Sequence, residues 1–241
     1  MSKIGFVNNL LQKVGYKLTR YNVRTDDILR KNAILEKYQI SLLMDVGANN
    51  GTFGKEIRTA GYKGTIISFE PLNKMFSILK ETARNDNRWI INNYALGAED
   101  SEQEINISAN SHSSSILNIL DTHTNAEATA AYIGKQKIQI RKLDSIFNEF
   151  KKNNLEIYLK IDTQGYEMNV LKGAEQSLQY INTIQLEMSL QALYTGQPLY
   201  MEIFTFLWSK GYKLIDIEPG FTDIRNGTML QFDGIFRKVN A

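Results

Sequence analysis

Apolar residues recur with a helical period near the start of the chain. Ile4, Val7, Leu11, Val14 and Leu18 follow one another at steps of three and four, which predicts one face of an amphipathic helix. The lysines and arginines of this segment lie off that stripe. We therefore expect a basic amphipathic helix over about the first twenty residues.

A second helix is predicted immediately downstream. Thr25 is its expected N-cap, and the carboxylates of Asp26 and Asp27 would lie in the first turn, beside the positive end of the helix dipole. The side chains expected to be buried are Ile28, Ala33, Ile34 and Leu35. The two helices together make a predicted helical extension over residues 1–39.

From residue 41 onward, short β-rich runs alternate with helical patterns. The runs cover residues 42–46, 65–69, 89–94, 156–161, 183–186 and 212–217, and the helical patterns cover residues 53–60, 72–85, 166–179 and 199–210. This alternation is typical of βαβ units, and so of a mainly parallel sheet with helices on both faces. A last run at 229–237 follows Asn226-Gly227 with no helix before it, so we expect it to pair antiparallel with residues 212–218. The fold class is therefore α/β, with a mostly parallel seven-stranded sheet in one domain over residues 40–241.

Residues 101–141 interrupt this alternation. Two further strands are predicted at 104–108 and 137–141, with a polar loop at 109–123 and a short helix at 125–132 between them. Loops of this length in a compact domain are uncommon and often functional.

Charge and composition narrow the function. The 241 residues contain no cysteine, which excludes a disulfide scaffold, a thiolate metal site and a cysteine nucleophile. No apolar run approaches the ~18 residues that span a bilayer, and no signal peptide is evident, so a cytoplasmic location is expected. Residues 1–39 carry a net charge of +5 and the remainder −3, which argues against a nucleic-acid partner.

The strongest chemical signal is the run LLMDVGANNG at residues 42–51, in which a strand leads through two glycines into a helix. Gly47 and Gly51 allow a sharp turn, and the helix N-terminus that follows offers free N–H groups. Neither a G-x-G-x-x-G pattern nor a P-loop occurs, so the turn favours a nucleoside that carries a carboxylate over a pyrophosphate. Glu70 ends the next strand 23 residues after Gly47, where an acid is placed to bind ribose hydroxyls.

These residues resemble the FkbM family of class I S-adenosylmethionine-dependent methyltransferases. The resemblance extends over about residues 40–238, through NYALG at 93–97, RKLDS at 141–145, LKIDTQGYEMNVLKGA at 159–174, QLEM at 185–188 and FDGIF at 232–236. It departs from the family at Gln164, where many members have Glu. The resemblance implies a Rossmann-like fold, S-adenosylmethionine as cofactor, and methyl transfer to an oxygen of a sugar or polyketide.

The resemblance also implies a set of cofactor-binding residues. The methionine half of the cofactor would be surrounded by Asp45, Gly47, Asn49, Gly51 and Thr52. Glu70 would hold the ribose, and the adenine slot would be lined by Leu72, Ala95 and Leu96.

The transfer itself needs alignment of the acceptor oxygen and removal of its proton. Asp162, at the end of the fourth strand of the alternation, is the leading candidate for a base or metal ligand, with capping of the next helix as the alternative. Glu187 ends the following strand on the same edge and is a candidate for binding the acceptor or, with Asp162, a divalent metal. The metal is not favoured. His112, in the hydroxyl-rich run NSHSSS at 110–115, is a third candidate for the base.

The remaining histidine and several aromatic residues are expected at the surface, in the core or in a loop. His123 is expected at the surface, Phe204, Leu207 and Trp208 in the core stripe of a helix, and Tyr194 in a loop that contacts the acceptor.

Three functions remain open from the sequence: methylation of a glycan hydroxyl, methylation of a small natural product such as a polyketide, and a non-catalytic nucleoside-binding module. Two interpretations of the basic N-terminal helix also remain. It packs its stripe on the domain or on a second subunit of a homodimer, which we favour, or it docks on an anionic membrane surface.

Overall fold

A computed structural model describes residues 3–150 and 155–239 of the chain. The α-helices are α1 (Lys3–Leu11), α2 (Asp27–Lys37), α3 (Thr52–Ala60), α4 (Asn73–Ala83), α5 (Asp121–Ala126), α6 (Leu143–Phe150), α7 (Glu167–Gly173) and α8 (Tyr200–Ser209). The strands are β1 (Leu42–Val46), β2 (Thr65–Phe69), β3 (Trp89–Asn92), β4 (Ala95–Leu96), β5 (Ser101–Ser108), β6 (Tyr132–Arg141), β7 (Ile157–Ile161), β8 (Thr183–Ser189), β9 (Tyr212–Pro219), β10 (Thr222–Asp223), β11 (Thr228–Met229) and β12 (Gln231–Lys238).

Seven strands form the main sheet, in the order β3-β2-β1-β7-β8-β12-β9. Neighbouring strands from β3 to β8 are parallel, and β12 runs antiparallel to both β8 and β9. The predicted seven-stranded sheet with an antiparallel last strand is therefore confirmed. Strand order reverses between β1 and β7, and ligands bind at such a switch point in open α/β sheets.

The alternation of side chains along each strand divides the core into two layers. Leu43 of β1 and Ile66 of β2 pack with Leu35, Ile57 and Leu79 of helices α2, α3 and α4. Met44 and Val46 point to the other face, where α6, α7 and α8 cover the sheet. Both faces are buried, which is why β1 and β7 contain almost only apolar residues.

The helix α2 belongs to this core. Its N-cap is Asp26, whose carboxylate accepts a hydrogen bond from the Leu29 N–H, so the prediction of Thr25 as cap was one residue early. Leu35 is buried and Ala33 is exposed, which corrects one of the four predicted core positions. Lys31 forms a buried ion pair of 2.6 Å with Glu218 of β9, which ties the helix to the far edge of the sheet.

Residues 93–141 form a second, three-stranded sheet, β4-β6-β5. The predicted strand at 89–94 ends at Asn92 because the Asn93 amide donates to the backbone oxygen of Glu70 and turns the chain toward β6. The predicted helix at 125–132 is wrong: α5 comes earlier and residue 132 already begins β6. The two strands predicted here are present and longer than expected.

Two predicted helices also differ from the observed ones, the first in its length and the second in which side chains it buries. The pattern at 166–179 forms α7, which stops at Gly173, followed by a separate 3₁₀ turn at Ser177–Tyr180. In α8, Leu207 is buried as expected, whereas Trp208 is 57% exposed and stacks on Phe204 at the surface. The spacing of apolar residues in the sequence did not distinguish the buried face of this helix from the exposed side next to it.

The first helix is shorter than the apolar stripe that predicted it. It ends at Leu11, a 3₁₀ turn covers Gln12–Val14, and Gly15 reverses the chain with a φ of +81°. None of residues 4–20 is buried, so the favoured packing of this stripe on its own domain is wrong. Among the described residues, no helix combines the length and apolar content needed to cross a membrane.

Close packing of α3 on β3 generates a stability prediction. A Cβ at Gly54 would lie 2.3 Å from Cζ2 of Trp89, whose indole N–H donates to Ser68. We expect Gly54→Ala to lower the free energy of unfolding by about 1–3 kcal/mol, because overpacking outweighs the better helix propensity of alanine.

Chemical denaturation measures this effect, and Gly134→Ala is the matched control, because nothing lies within 4 Å of a Cβ at that position. Equal unfolding midpoints for the two variants would contradict the packing argument.

Candidate active site

Two adjoining cavities open at the carboxyl ends of β1, β2 and β7. The first, with an empty volume of about 550 Å³ that includes space open to solvent, is mostly apolar and lies between β1, β2 and the second sheet. The second, with an empty volume of about 800 Å³ measured in the same way, is polar and lies over β7 and β8 beside the start of α3. The residues that line both are Gly47, Asn49, His112, Asp162 and Gln164. A ligand that fills both cavities would therefore pass these five residues.

The turn after β1 is the floor shared by the cavities. The N–H groups of Gly47 and Ala48 donate to the Phe69 oxygen and fix the turn to β2. A Cβ at Gly47, where φ is +80°, would lie 1.9 Å from the backbone oxygen of Asp162, so only glycine allows β1 and β7 to approach this closely. Thr52 lines the polar cavity, whereas Gly51 faces Leu79 of α4 and lines neither.

Glu70 is the acid of the apolar cavity. It is 4% exposed, and its two carboxyl oxygens accept hydrogen bonds from the N–H groups of Asn49, at 2.8 Å, and Leu72, at 2.7 Å. Burial raises its pKa to about 7, against the lowering effect of these two bonds. A buried carboxyl held by two backbone donors is rigid, and it faces the cavity where the sequence predicted a ribose.

Apolar side chains make the walls around Glu70. Leu72, Ala95 and Leu96, all predicted to line an adenine slot, line this cavity together with Ile105 and Ile116. Ile105 comes from β5 and Ile116 from the loop that follows β5, and no sequence motif marks either residue. A mostly apolar pocket with a few fixed polar groups is the form that small-molecule sites usually take.

A buried lysine lies beneath the polar cavity. Lys160 of β7 places its Nζ 3.3 Å from Asp45 and 3.2 Å from Asp162, and the same Nζ lies 5.0 Å from the centre of the Phe53 ring. Asp45 is fully buried between the strands and lines neither cavity, so its predicted contact with a ligand is not seen directly. Lys160 was not selected from the sequence, where it reads as one more residue of a strand.

The charge of Lys160 sets the ionisation of this group. Burial alone would raise the pKa of Asp162, but the lysine and a hydrogen bond from Gln164 outweigh it and lower the pKa. Burial raises the pKa of Asp45 despite the same lysine. One cation is thus shared by two carboxyl groups, and the one that faces the cavity is ionised.

Glu167, the first residue of α7, holds the loop after β7 with its carboxyl group, and no side chain in the described part of the chain caps the helix at its N-cap, Tyr166. One oxygen of the Glu167 carboxyl group accepts from the N–H of Thr163, at 2.9 Å, and of Gly165, at 3.0 Å. The alternative that Asp162 caps this helix is therefore wrong. Asp162 bonds through its side chain to Lys160 and Gln164 and lines both cavities.

Gln164 joins the two predicted catalytic carboxyl groups. Its Nε2 donates to Asp162 at 3.0 Å and to Glu187 at 2.9 Å, while its Oε1 accepts from the Tyr194 hydroxyl at 2.8 Å. Glu187 accepts a second bond from Gln231 at 2.7 Å. Burial and the nearby negative charges raise the pKa of Glu187 well above its ordinary value, so protonation of Glu187 is favoured beside the ionised Asp162.

This arrangement does not fit a metal ion between Asp162 and Glu187, because a hydrogen-bond donor of Gln164 already occupies the point that both carboxyl groups face. No cluster of three or more His, Asp or Glu side chains suited to a metal occurs within residues 3–150 and 155–239.

The serine-rich loop closes the cavities from above. His112 is exposed at their common border, and the backbone oxygen of Ser111 accepts from the Asn49 amide at 3.3 Å. His123 is 3% exposed, not superficial as predicted, and burial lowers its pKa to about 4. Tyr194 is also buried, at an edge-to-face distance of 5.2 Å from His123, and supports Gln164 from behind. Tyr194 lies in the loop between β8 and α8, but its side chain lines neither cavity, so the predicted contact of this side chain with an acceptor is not seen.

Backbone strain marks the same place. Non-glycine residues with positive φ in the described ranges are Gln39, Asn49, Ser111 and Gln164. Three of these four border the cavities, and strain of this kind concentrates at functional sites. In the sequence, Gln164 stands out only as a departure from a family pattern. No local signal shows that its side chain bridges two carboxyl groups that lie far apart in the chain.

Comparison with known proteins agrees with this geometry. The methyltransferase FkbM domain model matches residues 45–214, a span that contains every residue lining the two cavities. No curated protein matches the chain. The crystal structure of magnesium protoporphyrin IX methyltransferase from Synechocystis PCC 6803 with bound SAM is similar, with a TM-score of 0.50 and 9% identity over 99% of this chain and 98% of that chain.

An uncharacterized protein from Listeria monocytogenes serotype 4b is also similar, with a TM-score of 0.50 and 7% identity over 90% of this chain and 69% of that chain. At such identities the likeness shows the shared fold alone, whereas the family model covers well over half of the chain. The chain belongs to the FkbM family of class I S-adenosylmethionine-dependent methyltransferases.

Proposed function

We propose that this enzyme is an O-methyltransferase that methylates a hydroxyl group of a sugar or glycan. The observation that carries the proposal is Asp162, an ionised carboxylate at the border of the apolar cavity and the polar cavity, which is called here the polar cleft. A hydroxyl group is a poor nucleophile, and it needs an acceptor for its proton at this border.

The apolar cavity fits the adenosine part of the cofactor. Its walls are largely apolar, as in most small-molecule sites, and the Glu70 carboxyl group lies among them. We assign Glu70 to the ribose, Leu72, Ala95 and Leu96 to the adenine, and the Gly47 turn with Asn49 and Thr52 to the methionine part. When bound, S-adenosylmethionine supplies an electrophilic methyl group.

Asp162 is assigned two tasks. Its carboxylate accepts a hydrogen bond from the acceptor hydroxyl and so orients the oxygen, and it takes the proton once the new C–O bond makes that oxygen acidic. A carboxylate of lowered pKa is sufficient for such a late proton transfer. Lys160 keeps the carboxylate ionised, and Gln164 keeps it turned toward the cleft.

Glu187 is assigned to binding of the acceptor. Its raised pKa favours the protonated form, and a protonated carboxyl group offers both a donor and an acceptor to a second hydroxyl. His112, exposed at the same border, is assigned to release of the proton to solvent.

The composition of the polar cleft favours a hydroxyl-rich acceptor over a polyketide. Its lining is dominated by groups that form hydrogen bonds, namely Asn49, Asn50, Thr52, Glu56, His112, Lys160, Asp162, Gln164 and Glu187, with Phe53 as the aromatic member. An apolar acceptor would leave these groups unpaired, which costs about 1–3 kcal/mol for each one that is buried. We place the reaction in the cytoplasm, in line with a chain that contains no cysteine.

A methyl-transfer screen tests the acceptor class. Oligosaccharides and nucleotide sugars should gain one methyl group on oxygen, read by mass spectrometry of the intact acceptor and of its fragments. Transfer to apolar polyketides alone, or to nitrogen, would refute the proposal.

The first mutational prediction concerns Glu70. We expect Glu70→Gln to weaken S-adenosylmethionine binding by about 1–3 kcal/mol in isothermal titration calorimetry, because the ribose loses a charged acceptor. Since the pKa of Glu70 is raised to about 7, its ionised form is lost as pH falls. Wild-type affinity should then fall by up to about eightfold from about pH 7.5 to about pH 6.

The variant serves as its own control for the cofactor's titration. The pH dependence of Glu70→Gln should be flatter than that of the wild type, since ionisation of the ligand affects both proteins equally. Parallel curves would remove Glu70 from the ribose site.

The second mutational prediction separates the two carboxyl groups of the cleft. Asp162→Asn should lower turnover by about 10²-fold or more and leave cofactor affinity nearly unchanged, because it removes the proton acceptor. Glu187→Gln should keep turnover within about tenfold and mainly raise the acceptor KM, because glutamine resembles the protonated form that the raised pKa favours.

Steady-state kinetics with the acceptor found by the screen measures both variants. If Glu187→Gln abolishes turnover and Asp162→Asn does not, the base is Glu187.

A further inference from the structure

The segment from residue 4 to residue 24, called here the N-terminal surface, exposes an unusual amount of apolar side chain. Phe6, Tyr16 and Tyr21 are 62%, 70% and 76% exposed. Six aliphatic side chains are also exposed by 41% to 67%: Ile4, Val7, Leu10, Val14, Leu18 and Val23. Large exposed apolar patches on a folded protein mark contact with a partner or a membrane.

This surface is locally structured. The side-chain amide of Asn8 donates to the Leu18 oxygen at 2.9 Å, and its oxygen accepts from the Leu18 N–H at 2.7 Å. The reversal at Gly15 therefore holds the residues after α1 against the helix. The apolar side chains are presented on a compact helix-turn unit.

All charged side chains of the N-terminal surface are basic. Lys13, Lys17, Arg20 and Arg24 are exposed among the apolar side chains, and residues 4–24 contain no Asp or Glu. None of these four cations forms an ion pair within the described parts of the chain. The remainder of the protein beyond residue 39 is net acidic, so the positive charge is concentrated here.

We propose that the N-terminal surface docks on an anionic lipid bilayer. Apolar and aromatic side chains enter the interfacial region, where tyrosine is favoured, and the surrounding lysines and arginines meet the negative headgroups. This inference stands apart from the identity of the methyl acceptor.

Charge argues against a second copy as the occupant. In a symmetric dimer the same patch faces itself, so two surfaces without any acidic residue would be pressed together. Nucleic acid would match the charge but would leave nine large apolar side chains unburied, because its backbone is recognised by basic and polar groups.

The surface also lies beside the site. Tyr21 lines a hollow together with Thr52 and Glu56 of α3, and both of these residues line the polar cleft as well. A bilayer held by the N-terminal surface would therefore lie next to the mouth of the cleft. This placement suits an acceptor presented at the membrane face.

Vesicle cosedimentation of the full chain tests the proposal. We expect binding to phosphatidylcholine vesicles with about 30% phosphatidylglycerol to exceed binding to pure phosphatidylcholine by about tenfold or more, and to weaken as salt is raised. Lys13→Glu/Lys17→Glu/Arg20→Glu should abolish the preference for anionic vesicles. Phe6→Ser/Leu10→Ser should weaken binding at every salt concentration.

The matched control reverses three exposed lysines elsewhere: Lys74 and Lys80 of α4 and Lys172 of α7. This triple variant should bind vesicles within about threefold of the wild type. Calorimetry with S-adenosylmethionine checks that each variant is folded, and it separates loss of docking from loss of the cofactor site.

Three outcomes would overturn the proposal. These are equal or absent binding to the two kinds of vesicle, self-association in analytical ultracentrifugation that Phe6→Ser/Leu10→Ser abolishes, and binding to a DNA duplex without binding to vesicles. A protein that binds anionic vesicles but methylates no glycan would refute the proposed function and leave the docking surface standing.

Discussion

The buried charge of Lys160 is the interaction on which the rest of the site depends. A lysine between two strands is tolerated only with negative partners, and Asp45 and Asp162 lie on either side of its ammonium group. Burial by itself would lower the pKa of the lysine, but these two carboxyl groups outweigh it and raise the pKa, so the ammonium group stays charged at physiological pH. It keeps Asp162 ionised at the edge of a cleft where burial would otherwise neutralise it.

The pKa of the neighbouring Glu187 is shifted in the opposite direction. Glu187 is half-buried near the negative Asp162, and neighbouring like charges disfavour a second ionisation. The Gln164 amide donates to both carboxyl groups and so bridges them, and Tyr194 fixes the orientation of that amide. The pKa values of two acids on adjacent strands are thereby shifted in opposite directions, which supports the proposed division between proton uptake and acceptor binding.

The polar cleft and the apolar cavity, or slot, differ in the groups that line them. The slot holds the Glu70 carboxyl group among mostly apolar walls, with Asp162 at its border, and the cleft contains many groups that form hydrogen bonds. The glycine turn keeps the two in contact, since any side chain at Gly47 would push β1 away from β7. The site therefore rests on the backbone of the sheet, and the serine-rich loop closes it from above.

The sequence by itself determined the sheet, its antiparallel last strand and the edge at which the polar residues meet, because these follow from periodicity and from the strand-turn-helix order. It placed Glu70, Asp162 and Glu187 on that edge for the same reason. Only the tertiary structure decided the pairing of Lys160, the bridge of Gln164 and the burial of His123 and Tyr194, since each depends on residues far apart in the chain. The exposure of the N-terminal stripe was decided there too: an amphipathic pattern predicts that a helix has an apolar face, and it does not say what covers that face.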